Sequence, residues 1–154
     1  MSTMQSFKAF FYALAASFLL LCTSHAQNRD YKKEFGPYMV HYNAFNSSSL
    51  TPEIAKNYRI TRANNIGVVM VSVHKKNDEQ TPDAVTAMIK GEVRNELFQS
   101  SVLEFRELIE GDAIYYVAPF RHDHNEMMGF SVNVKPEGHK DELAISFSQR
   151  FYTH

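Results

Sequence analysis

Apolar side chains recur at every second position through most of this chain. Phe130, Val132 and Val134 alternate with Ser131, Asn133 and Lys135. Leu143, Ile145, Phe147 and Phe151 share one parity, against Ser146, Ser148 and Arg150 on the other. Val85, Ala87, Ile89, Val93 and Leu97 stand against Thr86, Lys90, Glu92, Arg94 and Glu96, and Leu103, Phe105 and Ile109 against Glu104 and Arg106. A repeat of two is that of an extended strand with one buried and one wet face. Ile66 to Val73 and Ala113 to Phe120 are apolar on both parities, which suits strands packed on both sides. A further strand is predicted over Tyr38 to Phe45.

Local chemistry places the breaks. Asn77-Asp78-Glu79, His122-Asp123-His124-Asn125 and Pro136-Glu137-Gly138 are turn clusters. Glu110-Gly111-Asp112 between two strong strands predicts a tight hairpin. Gly91 falls on an apolar parity and predicts a bulge or a close backbone approach. Pro119 cannot donate to a ladder, so its end of the strand should be an edge or a bulge. One short helix is predicted near 52–58: Thr51 caps it, Pro52 suits the first turn, Glu53 complements the dipole, and Ile54, Ala55 and Tyr58 turn toward the core. The expected fold is all-β, an immunoglobulin-like antiparallel β-sandwich of about seven strands. A small barrel is the runner-up. The antibody hallmarks are absent, since the chain has no Trp and only one Cys.

That cysteine, Cys22, lies in an N-terminal stretch with a different layout. Lys8 is followed by an apolar run from Ala9 to Leu21 and then by Ser24-His25-Ala26, with small residues at the two positions that matter for cleavage. This is the three-part plan of a secretory signal peptide. The run is shorter than the roughly 18–20 apolar residues of a membrane span. Residues 1–26 are therefore read as a signal peptide and 27–154 as a single domain, exported to the periplasm with no stable membrane anchor after cleavage. A lipoprotein signal ending at Cys22 is the alternative, disfavoured because Leu21 occupies a place that wants a small residue. Of the chain's 16 Lys+Arg and 17 Asp+Glu, only Lys8 lies in the leader, which leaves 15 against 17, a net charge of −2. That balance gives no electrostatic footprint for nucleic acid.

The stretch Phe35-Gly36-Pro37-Tyr38-Met39-Val40-His41-Tyr42-Asn43-Ala44-Phe45-Asn46-Ser47, followed by Thr51-Pro52-Glu53-Ile54-Ala55, is an unusual aromatic and polar string. Together with Leu103 to Glu110, Ala113 to Ala118 and Phe147-Ser148-Gln149-Arg150-Phe151-Tyr152, it resembles a family of small exported bacterial proteins known as domain of unknown function number 4426. The resemblance implies a sandwich-type β domain in the envelope of Gram-negative bacteria. It carries over no catalytic residue, cofactor or substrate.

The sharpest chemical candidate is Arg121-His122-Asp123-His124-Asn125-Glu126. On an extended segment His122 and His124 project to one side, and with Glu126 they could ligate zinc or copper. A complete site needs a further ligand, such as His41, His74 or His139. The plainer reading is a polar hairpin tip. Alternation puts His41, Asn43 and Phe45 on one strand face and Tyr42, Ala44 and Asn46 on the other, with the aromatics expected in the core and the Asn side chains on a neighbouring loop. Glu104 and Glu107 point to opposite faces and cannot converge as a carboxylate pair, and Arg106 with Glu107 reads as a solvated ion pair. There is no G-x-S-x-G elbow and no glycine-rich phosphate loop. These absences leave enzyme activity open while pointing away from it, and no cofactor is expected. The function expected is a non-enzymatic module that binds another envelope protein, with an exposed sheet edge as its means. The alternative is a metal- or small-ligand-binding protein built on the His122/His124 loop.

Overall fold

The computed structural model describes residues 31–78 and 81–153, so the expected leader lies outside the described residues. Ten strands fall within them: β1 (Lys32–Phe35), β2 (Tyr38–Asn46), β3 (Ile66–Lys75), β4 (Asp83–Ala84), β5 (Ala87–Arg94), β6 (Ser100–Leu103), β7 (Arg106–Glu110), β8 (Ala113–Arg121), β9 (Glu126–Pro136) and β10 (Leu143–Phe151). They form two antiparallel sheets. One runs β1-β2-β3-β8-β7, with β4 also on β3, and the other runs β10-β9-β5-β6. The long strands match the alternating segments. The additions to the expected seven are the short β1, β4 and β6.

The core lies between the sheets. Val69, Val71, Val73, Ala118 and Phe120 from one meet Val93, Phe130, Val132, Val134 and Ile145 from the other. β3 is apolar on both parities because its second face is covered as well. Val68 packs with Val117 and Ile60 in a smaller cluster closed by Phe45, Leu50, Tyr58 and Leu108. Leu50, Tyr58 and Ile60 come from the crossover between β2 and β3. It starts with a 3-10 turn (Ser47–Ser49) and continues in helix α1 (Pro52–Asn57), where Thr51 Oγ1 accepts the Ile54 N–H at 3.3 Å. Buried Ser47 ties this segment down, its hydroxyl accepting the Ala63 N–H at 3.0 Å and donating to Ala63 O at 3.2 Å. Ala55 is buried as predicted, whereas Ile54 points outward and is 40 % exposed.

The punctuation residues take the expected places. Glu110 pairs with Ala113 across a two-residue turn in which Gly111 has φ +57. Pro119 sits on the part of β8 that extends past its β7 partner. Gly91 marks a close approach and not a bulge. The β5–β9 register runs unbroken through it, and an added Cβ would stand 2.9 Å from Ser131 O.

The segment Leu103–Ile109 departs from the reading as one strand. Leu103 ends β6 in one sheet and Arg106 opens β7 in the other. The crossing at Glu104-Phe105 resets the facing, so Leu103 is buried while Ile109 is 65 % exposed. Arg106 does not pair with Glu107. Its guanidinium donates to Tyr58 O at 3.0 Å and Arg59 O at 3.3 Å, and Glu107 accepts from the Tyr116 hydroxyl. Among the described residues no helix is long and apolar enough to cross a membrane.

Candidate functional site

The side chain of Asn95 braces the β5–β6 hairpin. Asn95 Oδ1 accepts the N–H groups of Leu97 at 3.1 Å and Gln99 at 2.9 Å, and Asn95 Nδ2 donates to Gln99 Oε1 at 2.8 Å. The main chain closes the loop, with Phe98 N–H on Asn95 O and Asn95 N–H on Gln99 O, both at 3.1 Å. This is the Asx-type bracing that makes Asn a turn former. It holds Phe98 at φ +63, in the left-handed region that bulky residues avoid.

The strain gains no burial. Leu97 is 76 % exposed, and Phe98 and Val102 are each 80 % exposed. Three large apolar side chains thus stand in water on the hairpin that carries β6, an edge strand of its sheet. Alternation with Val93 predicts a buried Leu97, and the structure exposes it. Asn95 was the signal that the strand had already ended.

Beside the hairpin a cleft of about 720 Å³ opens between the sheets. Its lining includes Ile66, Val93 and Phe120, Gln99 and Val102 of the hairpin, and Arg59 and Arg121. His122 also lines it. The His122 N–H donates to Asn65 O at 3.1 Å, and its ring packs 5.0 Å from Phe151. Nδ1 lies 3.0 Å from Asp123 O, while Nε2 is buried with no hydrogen-bond partner.

His122, His124 and Glu126 differ in exposure and in partners. His122 turns inward and is 3 % exposed. His124 is exposed, with Nδ1 accepting the Thr153 N–H at 3.3 Å and its ring 5.9 Å from Tyr152. Glu126 Oε2 accepts the Asp123 N–H at 2.7 Å, closing the turn on itself. Of the further ligands considered, His139 packs on Tyr38, and His41 and His74 pack on each other. Among the described residues no group of three or more His, Cys, Asp or Glu side chains is gathered to hold a metal ion. On β2, Tyr42 packs against Phe147 with ring centroids 4.9 Å apart, Phe45 joins the smaller cluster, and Asn46 Nδ2 donates to Tyr152 O at 3.0 Å.

A family model described as Domain of unknown function (DUF4426) matches residues 32–154. The chain belongs to this family. It is similar to the crystal structure of a DUF4426 protein from Pseudomonas aeruginosa PAO1, with 31 % identity over 80 % of this chain and 94 % of that one, at a TM-score of 0.68. The DUF4426 sandwich is also similar to FetP from uropathogenic Escherichia coli strain F11, with 8 % identity over 79 % and 92 % of the two chains and a TM-score of 0.57. A copper-bound variant of FetP matches with 7 % identity over 80 % and 95 %, at a TM-score of 0.58. At such identities the likeness to FetP is one of fold alone. A comparison with curated proteins returns no match.

Proposed function

We propose that this DUF4426 protein is an exported, periplasmic, non-enzymatic protein-interaction module that binds its partner through the β5–β6 hairpin. The observation that carries this reading is Phe98, a bulky aromatic held at positive φ and 80 % exposed. Strain of about 1–3 kcal/mol at one residue persists where the surroundings impose it, and such sites cluster at ligand clamps. A rigid exposed aromatic beside Leu97 and Val102 has the make-up of an interface anchor. The neighbouring β6 edge and cleft suit an extended segment added as a strand, its apolar side chains on the hairpin and acidic ones toward Arg59 and Arg121. An immunoglobulin-like assignment is supported by the strand orders β2-β3-β8-β7 and β10-β9-β5-β6, which run as A-B-E-D and G-F-C-C′ of that fold. Export is supported by the signal-like residues 1–26, and the intact mass of the exported protein should place its first residue at Gln27.

The deciding experiment is cross-linking in living cells with the full-length protein and its Phe98→Gly variant. A companion captured by the wild type and lost with the variant supports the reading. Equal capture by both sinks it.

A second reading, metal or small-ligand binding at His122, His124 and Glu126, draws on the unpartnered His122 Nε2 in the cleft and on the copper bound by the FetP variant. Here zinc or copper(II) added to metal-stripped protein should raise the melting temperature, and His122→Ala should abolish the rise. No shift in the unmodified protein defeats this reading.

A further inference from the structure

On the outer face of the first sheet, past the part covered by the crossover, two histidines meet. His41 on β2 pairs with Ser72, and Met39 pairs with His74. His41 and His74 are therefore diagonal neighbours on one face, with Met39 directly opposite His74. The imidazole rings stand 5.2 Å apart, centroid to centroid, at 81°. His74 Nδ1 is buried and has no hydrogen-bond partner.

That spacing has a chemical meaning. Imidazoles bound to one ion at about 2.0 Å, with about 110–120° between the bonds, have centroids about 5.1–5.5 Å apart. Directly opposed strand residues have Cβ atoms about 4.5–5.5 Å apart, within reach of a flexible thioether. We propose that His41, His74 and Met39 form a binding site for monovalent copper.

The donor set selects the ion. Thioether sulfur prefers soft Cu(I), and imidazole suits copper generally. The Glu34 carboxylate, paired across from Met39, is held by Lys76 at 2.6 Å. Lys32 pairs across from His41 and adds a positive charge. An uncharged ligand set beside a lysine disfavours a divalent ion more than a monovalent one. A hollow of about 130 Å³ adjoins His41 and is lined also by Tyr31, Met70 and Tyr115. The site lies on another face from the hairpin and does not depend on the interaction reading.

The test uses the exported protein purified under reducing, oxygen-free conditions. Cu(I) is titrated in competition with a chromophoric Cu(I) chelator, and the bound metal is examined by X-ray absorption. The expected result is one equivalent bound, with nitrogen and sulfur scatterers. His41→Ala and His74→Ala should each weaken binding by at least about 100-fold, above the 10–100-fold typical of groups that only support a ligand. Met39→Leu conserves volume, so it should melt like the wild type and lose the sulfur scatterer. Absence of Cu(I) binding, or binding that survives both histidine changes, overturns the proposal. So does a sulfur signal undiminished in Met39→Leu, or affinity that falls with His122→Ala and not with His41→Ala.

Discussion

The hydroxyl of Tyr116 in β8 accepts the main-chain N–H of Ala87 in β5 at 2.8 Å, so a side chain of one sheet satisfies the backbone of the other. The same hydroxyl donates to Glu107 Oε2 at 2.8 Å. Removing it leaves the Ala87 N–H without its partner where the strand begins. Tyr116→Phe should lower unfolding stability by about 0.5–1.5 kcal/mol, the net worth of a typical hydrogen bond, since the Ala87 donor is part-buried. Urea unfolding checks this, and an unchanged midpoint would show that Ala87 finds water instead.

The same tyrosine gives an alkaline signature. Burial, with the Glu107 hydrogen bond and charge, pushes the Tyr116 pKa up to about 12. Below pH 10 the phenol is protonated in both folded and unfolded chains, and its contribution to stability is complete. Between pH 10 and 12 the unfolded phenol ionises first, so stability falls as pH rises. Tyr58, hydrogen-bonded to Glu110, is also raised to about 12 and adds to the decline. Midpoints at pH 9, 10, 11 and 12 should drop less steeply in Tyr116→Phe than in the wild type.

Acid acts at the histidine pair. Burial lowers the pKa of His41 and His74, and for His41 the charges of His74 and Lys32 add to it. Their stabilising contribution is full above the unfolded value near 6.5, and it is lost as pH falls through the folded values, because the unfolded chain takes up protons first. The melting temperature should decline on acidification from pH 7. Replacing His74 with Asn should flatten that decline, and identical pH profiles would refute the assignment.

Gly67 lies under the ring of Phe120, its cross-strand partner. A Cβ at Gly67 would stand 2.2 Å from Phe120 Cζ. The ring cannot swing away, since Phe130 and Phe151 each pack against it at 5.1 Å. Gly67→Ala should therefore cost about 1–3 kcal/mol, the range of overpacked cores. With Phe120→Leu already in place the same change should cost less, giving a coupling of about 0.5 kcal/mol or more in a double-mutant cycle.

Phe98→Gly separates stability from binding. Glycine relieves the left-handed strain, worth about 1–2 kcal/mol, and gives back about 0.5–1 kcal/mol in unfolded-state freedom. The unfolding midpoint should hold or rise while partner capture is lost. A fall of more than about 1 kcal/mol would mean that Phe98 packs within the fold after all.

The alternating runs and the turn residues were legible in the linear chain. Period-two facing is local geometry, and Gly111, Asn125 and Gly138 take the left-handed conformations expected in turns. Close approach at Gly91 and the cap at Thr51 followed from the same local rules. What alternation cannot carry is which sheet a strand joins. Leu103 and Ile109 share a parity, yet the chain crosses between sheets at Glu104-Phe105 and turns Ile109 to water.

The histidines show the same division. Spacing placed His122 and His124 on one side of an extended segment, but the β8–β9 turn sends the first toward Phe151 and the second toward Tyr152. His41 and His74 are 33 positions apart in the sequence, and only the β2–β3 register makes them neighbours. The sequence by itself determined most of the long strands, the turns and the family, because these rest on local steric preference and on a characteristic string of residues. Tertiary structure alone decided sheet membership, the exposure of Phe98 and the meeting of the histidines, because each depends on contacts between segments far apart along the chain.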